Sequence, residues 1–350
     1  MSIYKLLLGV ALLLSQNIVA QNSIKILTEK KGISIRGLSV PSENVIWASG
    51  SRGSVVKSVD GGASFNWMQV KGYEQRDFRS IHAWNDKEAI IVAIAAPAYI
   101  LKTKDGGVSW NIVYENTDTA MFLDAIHFND NNNGTVVGDP INKHIFLLST
   151  KDKGETWQQV PTNYFRDSLM EGEAFFASSS SNIAQSNTQQ FLVTGGLASR
   201  LWINGNAQQI PIVQGKVSTG ANSIALSPNG KQILIVGGDF ANDTNTYLNI
   251  VGLSSFLTPN TDNKHLSIKK TLWAINKRIT SPNGYKSCVT FLTNNLVVTC
   301  GTSGVDISKN KGRSWNNITR ESFHVVKKQP NTNKAIFAGS GGRIGIMPLN

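Results

Sequence analysis

The sequence predicts an all-β protein: a seven-bladed β-propeller of four-stranded antiparallel blades, its ring closed by an N-terminal strand. Three observations predict it. First, the composition is rich in glycine (31 residues) and low in charge (16%), which suits short strands and tight turns better than long charged helices. Second, short apolar or alternating runs recur between Gly-, Asn- and Ser-rich turns, as antiparallel strands require. Third, an eight-residue motif recurs four times, the mark of a repeat architecture.

Residues 1–20 read as a secretory signal peptide. Lys5 supplies the positive start, Leu6 to Leu14 an apolar run, and Ile18-Val19-Ala20 a small-residue cleavage site before Gln21. The run is far short of the roughly 20 apolar residues a membrane-spanning helix needs. The prediction is an exported protein, periplasmic or extracellular, with 21–350 forming a single propeller domain that does not span the membrane. Two cysteines exclude a disulfide-dense scaffold. The net charge of +11 is scattered in pairs such as Lys30-Lys31 and Lys327-Lys328, not gathered into a nucleic-acid arm. Nucleic acid is therefore excluded, and a protein or an anionic envelope or glycan ligand is the expected partner of a monomer.

The motif copies are Ser58–Phe65 (SVDGGASF), Thr103–Trp110 (TKDGGVSW), Thr150–Trp157 (TKDKGETW) and Ser308–Trp315 (SKNKGRSW). Their shared pattern is Ser/Thr, then Asp/Asn two residues on, Gly four on, and Ser/Thr followed by Trp/Phe. The physics is that of a turn. The Asp or Asn side chain accepts hydrogen bonds from its own turn, and the glycine takes a positive φ without steric cost. Asp60, Asp105, Asp152 and Asn310 are therefore structural turn residues. The motif is similar to the Asp-box, or bacterial neuraminidase repeat, which implies the turn between the third and fourth strands of a blade.

A common frame surrounds the boxes. Taking Arg36, Arg79, Asp124, Glu173, Asn222, Ser287 and His324 as anchors at the start of each innermost strand, the units average about 48 residues, the size of a four-stranded blade. The first three units read Ile35–Leu38 with Val45–Gly50, Phe78–Ile81 with Ala89–Ile94, and Leu123–Ile126 with Gly134–Gly138. The fourth pairs Glu173–Phe176 with Phe191–Gly196. The fifth pairs Asn222–Leu226 with Ile233–Gly238, the sixth Ser287–Phe291 with Leu296–Gly301, and the seventh His324–Val326 with Ala335–Gly339. The fourth and fifth units lack a clean box. The long step from 222 to 287 implies an insertion within Ser254–Thr280. The seventh unit has room for three strands, so Ile24–Thr28 is predicted to supply its outer strand and remove the open edge.

With its repeated Arg-Ser/Gly-Ile/Leu starts and Thr-x-Asp-Gly-Gly-x-Ser-Trp turns, the chain resembles the photosystem II assembly and stability factor propellers and their secreted bacterial relatives. Phe122–Phe128 through Gly138–Pro140 and Leu147–Asp152, and Glu171–Ser178, are similar to secreted members of the sialidase-like superfamily. The resemblance covers nearly all of 24–349. It implies protein-partner or assembly work, while one fold hosts many activities.

If the boxes lie on the bottom, the loops between second and third strands and the entries to first strands lie on top. That places Arg36, Arg52, Arg79, Asp124, Asp139, Glu173, Arg200, Asp239 and Arg343 as candidates around the channel mouth, where charges of both signs could orient a polar or anionic ligand. The expected function is a protein- or ligand-binding assembly module. The alternative is a glycan-active, sialidase-like hydrolase on the same fold. Arg36, Arg79 and Arg343 could mimic an arginine triad by position, and Glu173 with Asp139 or Asp239 a carboxylate pair. Against it, the sialidase Arg-Ile-Pro signature is replaced by Arg36-Gly37-Leu38. An oxidoreductase, as some relatives are labelled, finds no support: Gly339–Ile344 (GSGGRI) misses the last glycine of a dinucleotide fingerprint and has no helix after it. No cofactor is predicted, and the five histidines show no metal-ligand spacing. Cys288 and Cys300 flank a hairpin turn near Asn294-Asn295, so a cross-strand disulfide and two buried thiols are both open.

Overall fold

The structure is a computed structural model describing residues 23–259 and 269–349. The signal-peptide reading of 1–20 lies outside those residues. The described residues form seven antiparallel blades in a ring. Blade 1 is Ile35–Ser39, Ile46–Gly50, Ser54–Ser58 and Asn66–Gln69, innermost strand first. Blade 2 is Phe78–Ala83, Ala89–Ala93, Ala98–Thr103 and Asn111–Asn116. Blade 3 is Leu123–Phe128, Gly134–Ile141, His144–Thr150 and Gln158–Gln159. Blade 6 is Cys288–Phe291, Val297–Gly301, Gly304–Ser308 and Asn316–Thr319.

Blade 7 has three strands from the C-terminal end, Val325–Gln329, Lys334–Ala338 and Ile344–Pro348, and takes its fourth from Lys25–Thr28. The closing register pairs Lys25 with Ile346, Ile26 with Gly345 and Thr28 with Ile344. Closure covers the outer edge of Ile344–Pro348 and brings the first and last blades together, where Ile35 N donates to Gly339 O (3.1 Å). Apolar cores fill the gaps between blades. Trp47, Val55, Phe78, Ile81 and Leu101 pack blade 1 on blade 2, and Ile35, Val298, Val325 and Phe337 belong to the core joining blades 6, 7 and 1.

All four boxes form the same turn. In blade 2, Thr103 Oγ1 donates to Asp105 (2.8 Å) and accepts from Gly107 N (2.9 Å), and Ser109 N donates to Asp105 (3.0 Å). The Ser58, Thr150 and Ser308 turns repeat that geometry. Gly107 has φ +91°, and a Cβ there would press on Trp47 and Met68 of the previous blade. The box aromatic packs the same way, with Trp110 edge-on to Trp47 (6.5 Å). Lysines tie neighbouring turns. Lys57 Nζ in blade 1 donates to Asp86 O (2.9 Å) and Gly106 O (2.8 Å) of blade 2, and Lys102 Nζ in blade 2 donates to Lys153 O (2.8 Å) of blade 3.

Blades 4 and 5 depart from the repeat. Blade 5 is Thr219–Leu226, Gln232–Asp239, Ile250–Pro259 and Lys269–Ile275, with its long outer hairpin in place of a box. That hairpin accounts for the long 222-to-287 spacing. In blade 4 an Asn204-Gly205 turn, both residues at positive φ, replaces the box. Its strands are Ile183–Gln185, Gln190–Val193, Arg200–Ile203 and Asn206–Gln209. This corrects the fourth unit. Glu173–Ala174 pairs only with Gly195–Gly196, and the innermost strand resumes at Ile183. Gly195 in turn pairs with Gly220 of blade 5, so the upper corners of the two blades share a ladder. Only glycine permits that approach, because a Cβ on Gly220 would stand 2.4 Å from Gly195 Cα. Residues 175–182 are left outside the ladder and turn into the ring axis.

Candidate functional site

The anchors are set by a repeated backbone irregularity. The register slips between Ile35 and Gly37, Phe78 and Ser80, Leu123 and Ala125, and Ala221 and Ser223. Each slip is a bulge that sets one residue outside the pleat: Arg36, Arg79, Asp124 and Asn222. Bulges re-aim side chains in this way beside functional sites. In blades 6 and 7 the corresponding residues, Ser287 and His324, stand just before the first strand.

Arg36, Arg79, Asn222, Ser287 and His324 line a cavity of about 490 Å³ at the upper end of the axis. Its side wall is aromatic: Phe122, Phe175, Phe176, Phe240 and Tyr285. Phe240 meets Phe176 edge-on (5.9 Å) and Tyr285 at a steep angle (6.2 Å), and is itself half exposed at the mouth.

The floor is the segment that left the blade 4 ladder. Ser178 Oγ donates to Asn222 Oδ1 (3.0 Å), and Ser178 O accepts from Arg36 (3.2 Å). Ser179 Oγ donates to Ser287 O (2.6 Å). Ser180 Oγ sits against the backbone of Ile126, and Ser181 Oγ donates to Ser223 Oγ (2.8 Å). Four consecutive serines thus reach blades 1, 3, 5 and 6. Small hydroxyls can cross a narrow axis while every donor finds a partner, which larger apolar side chains could not do. Ser178 faces the upper cavity, and Ser180 and Ser181 line a separate recess below. The propeller is therefore plugged rather than open along its axis.

The electrostatics follow from burial. Arg36 is pulled below its ordinary value by burial and then by the nearby charge of Arg79. Arg79 pairs with Asp77 (2.8 Å). Burial pushes the Asp139 carboxyl up to about 6, opposed by the N–H of Phe175, which donates to it (3.1 Å). Asp124 lies behind the wall, fully buried. Neither carboxyl oxygen has a hydrogen-bond partner, and burial, then the charge of Asp139, holds it well above the carboxylate range. Burial, then Arg36, lowers His324 to about 4. Its neutral ring donates from Nδ1 to Ile35 O (2.9 Å) and accepts at Nε2 from Ser340 Oγ (3.1 Å). Tyr285, pushed up to about 12 by burial, donates to Asn222 Oδ1 (2.9 Å). At neutral pH the cavity carries two guanidiniums, one carboxylate and an aromatic wall.

Of the nine charged candidates, the structure brings Arg36, Arg79 and Asp139 together in the cavity, with Asp124 behind them. The others lie elsewhere. Glu173 and Arg200 form a buried ion pair (2.6 Å), satisfied by Thr194 Oγ1, Met170 N and Ser168 O. Asp239 accepts from Ser218 Oγ (2.7 Å) and staples its loop. Arg343 stacks over Phe323 and donates to Glu321 (3.4 Å) and Ser322 O. Arg52 is exposed in the top hairpin of blade 1, at φ +58°. Asn222, Ser287 and His324 share the repeat frame with Arg36 and Arg79, and repeat position alone could have found them. The aromatic wall had no such signal, since Phe175 and Phe176 fall in the broken strand and Phe240 in a loop.

Tyr285 is engaged by Asn222, and among the described residues no glutamate lines the cavity. Nor do three His, Cys, Asp or Glu side chains among the described residues group as a metal-binding set. No helix of the described residues is long and apolar enough to cross a membrane. Cys288 and Cys300 are directly paired across strands, both buried free thiols.

Residues 64–165 match the family model described as photosynthesis system II assembly factor YCF48. Among solved structures, the chain is similar to one described as YCF48 bound to D1 peptide, with a TM-score of 0.61 at 16% identity, covering 94% of this chain and 97% of that one. It is also similar to YCF48 from Cyanidioschyzon merolae, with a TM-score of 0.59 at 13% identity, covering 93% and 99%. No curated protein matches. The chain therefore shares the propeller fold of these structures, and residues 64–165 carry its likeness to the photosystem II assembly factor family.

Proposed function

We propose that this chain is an exported assembly module that holds a segment of a protein partner in its upper cavity. The observation that carries this reading is the blind, two-toned pocket. Arg36 and Arg79 offer charge-assisted donors to carboxylate or carbonyl oxygens, and the Phe175, Phe176, Phe240 and Tyr285 wall offers apolar area. Because Ser178–Ser181 closes the floor, a chain end or a protruding loop fits it better than a threaded strand. A structural relative of the same fold is described with a bound peptide. A hydrolase is the poorer reading, for want of a carboxylate partner beside Tyr285. Export is supported by the pattern of residues 1–20, and a monomer by the closed ring. N-terminal sequencing of the protein from its native host and light scattering test these two points.

The binding reading is tested with an immobilised peptide pool, in free-acid and amidated forms, screened against the full chain and against R36M and R79M. Each charged hydrogen bond contributes about 1.5–3 kcal/mol, so each variant should weaken captured peptides about tenfold or more. Capture that both folded variants retain at full strength would overturn the assignment of this cavity.

A further inference from the structure

Beneath the serine plug lies a recess of about 430 Å³ at the box end of the axis. Three residues past each anchor, six innermost strands place Ser39, His82, His127, Ala225, Thr290 and Lys327 around it. The exposed Lys328 stands beside them. Among the described residues no carboxylate lines this recess. The upper cavity differs, because Asp139 lines it and Asp77 pairs with Arg79. Below, Lys327 Nζ, the His82 and His127 rings and Thr290 Oγ1 have no hydrogen-bond or ion-pair partner among the described residues.

A half-buried ammonium without a counter-charge, ringed by neutral donors, is an arrangement short of one anion. Lysine suits a phosphate as a compact point charge, and hydroxyl and imidazole N–H groups can share the remaining oxygens. The charge of Lys327 is felt by both rings, where it adds to the burial that holds His82 at about 3 and His127 at about 4. An anion seated among them would offset that field.

We propose that the lower mouth is an oxyanion site, in which Lys327, His82, His127 and Thr290 receive a phosphate-type group. The peptide reading of the upper cavity plays no part in it, since the plug separates the two. The group could come from free phosphate or from a lipid headgroup.

The test follows the His82 and His127 ring resonances of the full chain during titration with inorganic phosphate, and in parallel the binding of phosphatidylcholine vesicles with and without phosphatidylglycerol. The expected result is saturable movement of both rings with phosphate, weakened about tenfold or more in K327M and retained in K327R. Phosphate binding alone assigns a free anion. Vesicle binding that also depends on Lys327 assigns a headgroup. No saturable shift and no Lys327-dependent vesicle binding would overturn the site, as would binding that a folded K327M retains. Vesicle binding indifferent to residue 327 would report only the basic surface.

Discussion

Blades 2 and 3 repeat one plan, while blade 4 breaks it. In the regular blades an aromatic residue follows each box and packs inward, a lysine from one blade caps the next turn, and the innermost strand is continuous apart from one bulge. In blade 4 the box is gone, the innermost strand is cut after Ala174, and the released residues plug the axis. The regular blades hold the ring together with many small, local interactions. The irregular blade makes the cavity floor and two of the five wall aromatics, and it holds its broken strand with one concentrated polar cluster, Glu173–Arg200. The repeat builds the frame, and the departure from the repeat shapes the site.

That contrast sets an order of effects. The largest belongs to Glu173→Ala. It leaves the buried Arg200 without its carboxylate, and breaking one side of such a pair typically costs about 3–5 kcal/mol. Urea unfolding should show it, and a loss no greater than that of a single box residue would break the comparison. Next is Ser179→Ala, which deprives buried Ser287 O of its donor. A loss of about 1–2 kcal/mol is expected by the same measurement. An unchanged midpoint would mean that the plug contributes nothing to stability.

Asp139→Asn should act in the opposite direction. A carboxyl raised to about 6 in the fold binds protons more tightly there than when unfolded, so its contribution to stability is lost as pH rises from about 4 to 6. Above that window the asparagine variant, which still accepts from Phe175 N, should be more stable by roughly 1 kcal/mol, discounted for partial exposure. Below pH about 4 the difference should vanish. Paired thermal melts at pH 7.5 and 4 check the sign, and greater stabilisation at the acid end would refute the assignment.

The smallest effect should come from Asp105→Ala. Hydrogen bonds from Ser109 and Thr103 lower Asp105 to about 2. The stability linked to it is therefore present above the unfolded carboxyl pKa and lost only as pH falls through about 2. The variant should melt slightly below the parent at pH 7 and converge with it in strong acid. A loss rivalling that of Glu173→Ala would show the box turns to be as concentrated as blade 4.

Much of the frame was legible in the residues alone. The box turns, the second strands and the closing role of residues 25–28 follow from local chemistry repeated at a regular interval. Each copy needs the same turn, and a closed ring needs its missing strand. The aiming of Arg36 and Arg79 was legible too, since they begin successive units. The fourth unit misled because Glu173-Ala-Phe-Phe has the apolar pattern of a strand, while its real partner across the ladder is only Gly195-Gly196. The charge of Glu173 and Arg200 suggested a mouth, but their spacing in sequence could not show that they would neutralise each other.

Local sequence therefore determined the kind of protein this is: an all-β ring of repeated four-stranded units with hydrogen-bonded turns on one end. Tertiary structure alone decided which side chains share the axis and which compartment each enters. The reason is physical. Turns and strands are set by residues a few positions apart. The plug instead depends on Ser178–Ser181 meeting Arg36, Ile126, Asn222, Ser223 and Ser287, contributed by four other blades. No periodic signal records contacts of that span, because each is made once, by the single blade that departs from the pattern.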